Sequence, residues 1–322
     1  MKILVTGNCG YIGSITSQLL LQQGHEIVGI DNLSTGFEQN ISKDVEFHQI
    51  DVNDHEKLTP LMKDTDAVIH FAAKTSVAES VSLPNLYYSN NVEGSKSLLK
   101  AMKKSNTKKL IFSSSAAVYG VQGILPIKEN DLCSPINPYG MTKLETEKNI
   151  SAFCQEGDSG AVSLRYFNVA GAMKVPKTWL RERHDPETHL VPNILNSNKE
   201  NPLKIYGTNF DTTDGTCVRD YVHVVDIARA HILALENVVV GENQIVNIGS
   251  GKGYSVLEVF KTAEEVINRN IPVDFVERRE GDPDRLVADI RKATEVLNWE
   301  PEFTLFDMIR DAHQAITEDV HK

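Results

Sequence analysis

KILVTGNCGYIG, residues 2–13, decides how this chain is read. A β-branched apolar run of strand length gives way to glycines at positions 7, 10 and 13, and an amphipathic stretch from Tyr11 to Gln23 follows at once. A glycine turn between strand and helix lets backbone approach a pyrophosphate, whose charge the free amides and the helix dipole stabilise. The same spacing also occurs in strand-to-helix turns that bind nothing, so the surrounding pattern has to decide. The next strand, HEIVGIDN (residues 25–32), places Asp31 roughly 20 residues beyond the glycines, where a carboxylate accepts hydrogen bonds from ribose hydroxyls. No arginine stands beside Asp31 to receive a 2′-phosphate, which favours NAD over NADP.

Outward from this turn, apolar runs of strand length alternate with helix-like stretches: VEFHQID (45–51), DAVIHFAA (66–73), a helix over residues 85–104, KKLIFSSS (108–115), a helix from Pro138 and AVSLRYF (161–167). Such alternation predicts βαβ units, hence an α/β fold with a Rossmann-like, doubly wound parallel sheet. Asp51 ends the third strand within reach of an adenine, and Phe71, Ala72 and Ala73 end the fourth at the cofactor edge. Pro176, Pro186, Pro192 and Pro202 then break the regularity. The boundary is therefore set near residue 170: residues 1–170 form the NAD-binding domain and residues 171–322 a smaller C-terminal α/β lobe, some segments of which return to the first domain. In that lobe LKIYG, VNIG and VDFVE read as short strands between helices at about Val224–Glu236, Val256–Arg269 and Thr304–Ile316.

Composition agrees with a globular, enzyme-sized protein: 322 residues, 41% hydrophobic and 24% charged. A formal net charge of −11 repels nucleic acid, so an anionic ligand must be held by local arginines and amides. No stretch approaches the roughly 20 apolar residues of a membrane span. Cys9, Cys133, Cys154 and Cys217 lack CxxC or zinc-ligand spacing, which predicts reduced thiols and a cytoplasmic setting.

The chemistry is carried by NPYGMTKLETE (137–147), where Tyr139 and Lys143 stand four residues apart on one helical face. A phenol of ordinary pKa near 10 is a poor base at neutrality, and lowering it by roughly three units takes about 4 kcal/mol. Lys143 and a positively charged nicotinamide are the expected sources. Ser115, in IFSSSAAVYG at a strand end, offers a hydroxyl between the substrate oxygen and the tyrosine.

Together GxxGxxG, SSSAxVYG, YxxxK, RYFN and VRDYVHVxD resemble the nucleotide-sugar 4-epimerases of the extended short-chain dehydrogenase/reductase family, over residues 2 to about 299. The resemblance implies epimerisation at carbon 4 of a UDP-hexose, UDP-glucose or UDP-galactose, through a transient 4-keto sugar, with a retained NAD and a homodimer. It implies catalysis by Ser115, Tyr139 and Lys143. It assigns cofactor contacts to Gly7, Gly10, Tyr11, Ile12, Gly13, Asp31, Asn32, Asp51, Val52, Phe71, Ala72, Ala73, Asn90, Ser113, Tyr139, Lys143 and Phe167. Substrate contacts fall on Ser115, Tyr139, Asn168, His189, Leu190, Arg219, Arg279, Asp282 and Leu286, the two arginines suiting a diphosphate. This chain departs from some members at Thr75, where a lysine can stand, at His189, where an asparagine can stand, and at Cys9. A related 4,6-dehydratase would carry an acid pair after the serine, where Ala116 and Ala117 stand; a non-catalytic NAD sensor would not need Ser115, Tyr139 and Lys143 intact. The cluster RHDPETH, with His184, Asp185, Glu187 and His189, lacks helical HExxH geometry and reads as a polar loop, so no metal is expected.

Overall fold

The computed structural model of the chain describes residues 1–279 and 281–320. The glycine turn joins β1 (Lys2–Thr6) to α1 (Tyr11–Gln22), and β2 (Glu26–Asp31), β3 (Glu46–Gln49), α2 (His55–Leu61) and β4 (Ala67–His70) follow. Next come α3 (Val77–Ser82), α4 (Pro84–Tyr87), α5 (Gly94–Ser105), β5 (Lys109–Ser115), α6 (Pro138–Gln155) and β6 (Gly160–Tyr166). The second half contains β7 (Asn168–Ala170), β8 (Ala172–Val175), β9 (Thr178–Arg181), α7 (Leu190–Asn196), β10 (Leu203–Tyr206), β11 (Val218–His223), α8 (Val224–Glu236) and β12 (Asn243–Ile248). It closes with β13 (Gly253–Ser255), α9 (Val256–Ile267), β14 (Val273–Val276), β15 (Arg285–Leu286), α10 (Arg291–Leu297) and α11 (Leu305–Val320).

Seven parallel strands form the main sheet in the order β12-β6-β5-β4-β1-β2-β3. The chain winds outward from β1 in one direction through β2 and β3, then in the other through β4, β5 and β6. The carboxyl ends of β1 and β4 are thus a topological switch point, where open α/β sheets bind ligands. Val222, Ile227, Ala230 and Trp299 pack with β-strand residues on one face; Leu58, Met62, Leu98, Met102 and Ile150 cover the other. The inner strands β1, β2 and β4 are buried on both faces, so their sequences are largely apolar runs.

The structure departs from the sequence reading in two places. The expected helix over 85–104 is interrupted by a π-helical segment, Tyr88–Glu93. Its extra residue aims Asn91 inward: Asn91 Oδ1 accepts from Lys74 N at 2.8 Å, and Asn91 Nδ2 donates to Lys74 O and Thr142 Oγ1, each at 3.0 Å. The proline-rich stretch after residue 170 contains an antiparallel hairpin, β8 with β9, whose strands are too short to show a period in sequence. Of the segments read into the smaller lobe, α8 packs on α1, and β12 pairs with β6 as the edge of the main sheet. Strand pairing, which local sequence does not encode, draws them there. We propose the division near residue 170 as the point where the chain first leaves that sheet.

The remaining elements form a second core in which Val191, Ile194, Leu203, Tyr221, Phe260 and Met308 are buried together. No helix among the described residues is long and apolar enough to cross a membrane.

At the switch point Gly7 has φ +70°, and a Cβ there would stand 2.7 Å from Ala72 N. A Cβ on Gly13 would lie far inside contact distance of the Gly7 carbonyl oxygen. Gly13→Ala must therefore push α1 away from the turn, and backbone cannot yield as a flexible side chain would; overpacking of this kind costs about 1 to 3 kcal/mol. The expected outcome is a lowered melting temperature and loss of co-purifying NAD; nucleotide extracted from the variant at the wild-type ratio would contradict this account of the turn.

Candidate active site

The first turn of α1 provides the anion-binding end. Its N-cap, Gly10, makes no side-chain capping bond, and no acid stands in the first turn, so the amides at that end keep their donors for a ligand. Ile12 packs into the core, while Tyr11 reaches across to donate its hydroxyl to Gly171 O at 2.6 Å. Asp31 is buried, with Oδ2 accepting from Cys9 N at 3.0 Å and Oδ1 from Leu33 N at 2.8 Å. Burial pushes its carboxyl up, against the two amide bonds. Each oxygen keeps a lone pair for a ribose hydroxyl. Asp51 accepts from Asn32 Nδ2 at 2.8 Å, and Val52 is buried beneath α5, its Cγ1 within 2.7 Å of where a Cβ on Gly94 would stand. Cys9 is buried and its thiol is pushed up to about 12 by burial and by Asp31, so it is inert packing.

The donor set suits a dinucleotide: a glycine turn without room for side chains, open amides for a pyrophosphate and a buried carboxylate at the end of the adjacent strand β2. Phe71 presents its backbone to this edge, since its ring packs in the core, 4.5 Å from the ring of His231. Ala72 N donates to Thr6 Oγ1 at 3.3 Å and Ala73 follows on the loop. Asn90 is part-buried and donates to Asn91 at 3.0 Å. Asn91, which the sequence reading passed over, is the residue that ties the loop after β4 to α6.

The reacting end is built by α6 lying across the ends of β5 and β6. Asn137 caps this helix, accepting from Gly140 N at 2.8 Å, and Pro138 fits its first position. Tyr139 and Lys143 are both buried, 8% and 3% exposed, and Lys143 Nζ donates to Ser113 O at 2.7 Å. Ser113 Oγ also meets the Tyr166 hydroxyl, and Ser115 pairs in register with Tyr166. Phe167 and Leu286 pack with Ala116 beside Ser115, so the chain after β6 and β15 wall the same space. Asn168 Nδ2 is buried and has no hydrogen-bond partner, a donor left for a ligand.

Burial pushes Tyr139 above its usual value, only the Ser115 hydroxyl acts downward, and the Lys143 amine is itself depressed by burial to about 7. Its Nζ stands 5.8 Å from the Tyr139 ring centroid.

One turn beyond Lys143 stands a residue that the sequence reading missed. Glu147 is buried, takes a two-pronged pair from Arg165 (Nε to Oε1 2.9 Å, Nη2 to Oε2 2.5 Å) and accepts from Ser114 Oγ at 2.5 Å. The i+4 continuation from Tyr139 through Lys143 to Glu147 was the available signal. Glu147 is also the group that acts upward on Lys143.

The nucleotide-facing candidates are partly gathered. Arg219 and Leu286 are register partners in β11 and β15, and Arg219 Nη2 donates to Asp282 Oδ1 at 2.8 Å. Arg219 is thus already paired with a carboxylate, whereas the guanidinium of Arg279 lies 3.8 Å from the ring centroid of Tyr206. His189 caps α7 without a side-chain bond, Leu190 packs on the second core, and His189 joins Tyr11, Gly171, Glu182 and His184 around a cleft of about 300 Å³.

A parallel doubly wound sheet with a glycine turn, a buried Tyr139–Lys143 pair and a serine at the end of β5 defines a nicotinamide-dependent enzyme of the short-chain dehydrogenase/reductase type. The pattern of the NAD dependent epimerase/dehydratase family matches residues 3–249, and the chain belongs to that family. A UDP-glucose 4-epimerase of Lactobacillus helveticus is 46% identical over 307 residues, covering 94% of this chain and 92% of that protein. The crystal structure of a UDP-glucose-4-epimerase from Stenotrophomonas maltophila, with bound NAD and formylated UDP-arabinopyranose, has a TM-score of 0.95 at 35% identity, covering 100% of this chain and 99% of that one. That of a UDP-glucose 4-epimerase from Brucella ovis in complex with NAD has a TM-score of 0.92 at 42% identity, covering 97% of each chain.

A lysine depressed to about 7 costs the fold most below that pH, where it is buried with its charge, and less as pH rises from there toward its ordinary 10.5. Lys143→Met should therefore raise the melting temperature of the cofactor-stripped protein by several degrees at about pH 6 and by little at about pH 10. Equal shifts at both pH values would refute the burial cost.

Proposed function

We propose that the chain interconverts UDP-glucose and UDP-galactose by inverting carbon 4 of the hexose, with a retained NAD. The observation that carries this reading is the buried constellation of Ser115, Tyr139 and Lys143 at the carboxyl end of a NAD-type sheet. When bound, held by the glycine turn, Asp31 and Lys143, the nicotinamide would supply the hydride acceptor and donor that inversion at carbon 4 requires. Tyr139 takes the proton of the 4-hydroxyl and gives it back, with the Ser115 hydroxyl bridging the two oxygens. Lys143 holds the ribose next to the nicotinamide and keeps its amine beside the phenol. The lowering that Tyr139 needs to act as a base is assigned to Lys143 and to the positive charge that an oxidised nicotinamide would bring.

Asn168, with its unpaired buried Nδ2, and Arg279, stacked on Tyr206, are proposed to anchor the UDP part, with Arg219 kept in place by Asp282. Firm anchoring of the nucleotide with loose holding of the hexose lets the 4-keto sugar present its second face. A homodimer is proposed on the exposed apolar row Val81, Leu83, Leu86 and Tyr88 with Met141 of the neighbouring α6. A cytoplasmic location is proposed from the four free cysteines.

Purified protein given UDP-galactose without added NAD+ should form UDP-glucose with no accumulation of NADH. A strict need for stoichiometric NAD+ would mark a dehydrogenase instead. Tyr139→Phe should keep the fold and bound NAD while turnover falls about 10²- to 10⁴-fold, because the ring packing stays and the proton acceptor goes. Near-normal turnover in that variant would overturn the assignment.

Leu286 walls the sugar space at intermediate size, between a tyrosine, which would exclude an N-acetyl group, and a small residue, which would admit it. A preference of about 10- to 200-fold for the unsubstituted hexose is expected over UDP-N-acetylglucosamine. Leu286→Gly should raise kcat/KM for the N-acetylated sugar selectively and Leu286→Tyr should lower it; an unchanged ratio across the three proteins would place Leu286 outside the pocket.

A further inference from the structure

We propose that the loop between β9 and α7 is a binding site for a divalent transition-metal ion, best suited to zinc, with Glu182, His184 and His189 as ligands. One donor atom of each lies within 4.8 Å of the other two. Ligands sharing a zinc ion at about 2.0 to 2.2 Å stand roughly 3 to 4 Å apart, so a contraction of less than about 2 Å closes the site. Two imidazoles and a carboxylate suit zinc; calcium and magnesium prefer oxygen alone.

The cluster gathers its donor atoms close together within one loop. His184 Nδ1 stands 2.5 Å from Glu182 Oε1, yet it is buried and makes no hydrogen bond, so the two groups converge without aligning donor to acceptor. Glu182 is mostly buried and is held for the task by the amides of Arg183 and His184, which donate to Oε1 at 2.9 and 3.2 Å. On the other side Glu187 Oε1 meets His189 Nδ1 at 2.8 Å and takes the amides of Thr188 and His189, also at 2.8 Å. Two carboxylates against two neutral imidazoles leave a net negative charge that a cation offsets. His184 Nε2 lies 3.4 Å from Thr75 Oγ1, so the ion would tie the end of β9 and the start of α7 to the loop after β4. Its role is to brace that loop, and no chemical step depends on it.

The test equilibrates chelator-treated holoenzyme with zinc chloride and measures bound metal by mass spectrometry, with the melting temperature in parallel. Stoichiometric zinc and a raised melting temperature are expected for the wild type, with at least tenfold weaker binding in His184→Ala and in Glu182→Gln. The second variant keeps the shape of the carboxylate, and circular dichroism with bound NAD shows that both are folded. Zinc retained by either folded variant, or no more zinc on the wild type than on the variants, would overturn the proposal.

Discussion

The buried pair between Glu147 and Arg165 holds the reacting end together. Its two partners come from α6 and β6, and Ser114 of β5 joins on the same carboxylate, so one group fixes a helix to two neighbouring strands. Removing one member of such a pair strands a charge in low dielectric, at a cost of about 3 to 5 kcal/mol. With α6 so seated, the same helical face turns Tyr139 and Lys143 toward the end of the sheet. The carboxylate also works against the desolvation of Lys143, which explains how an amine can sit there at all.

A second buried acid attaches the smaller lobe. Asp220 in β11 accepts from Ser250 N and Oγ at 2.7 Å, Gly251 N at 3.0 Å and Ala288 N at 3.1 Å. It thereby gathers β11, the loop after β12 and the segment following β15. Burial nonetheless pushes its carboxyl up to about 6, the cost of placing an acid where only amides and a hydroxyl can meet it. Arg219 and Leu286, register partners in β11 and β15, flank this joint. Rigid support for side chains that face a ligand is what a selective pocket requires.

Between the two anchors, the site trades stability for chemistry. A depressed lysine, a buried phenol and an unpaired Asn168 amide are each unfavourable in isolation, and they lie together between Ser115 and the end of β6. Such local violations of good packing mark a functional site when the rest of the fold is consistent.

What the sequence determined by itself is the part written in short-range patterns: the apolar runs of the parallel strands, the glycine turn, the caps of the helices and the four-residue step from Tyr139 to Lys143. Periodicity and spacing encode these because neighbours along the chain remain neighbours in a helix or a turn. Tertiary structure alone decided which segments of the second half return, α8 onto α1 and β12 into the main sheet, the π-helical turn that buries Asn91, the engagement of Arg219 by Asp282, and the convergence of Glu182 with His184 and His189. These outcomes depend on which segments meet through space and on how much water is left around each charge, and neither quantity is carried by any short stretch of residues.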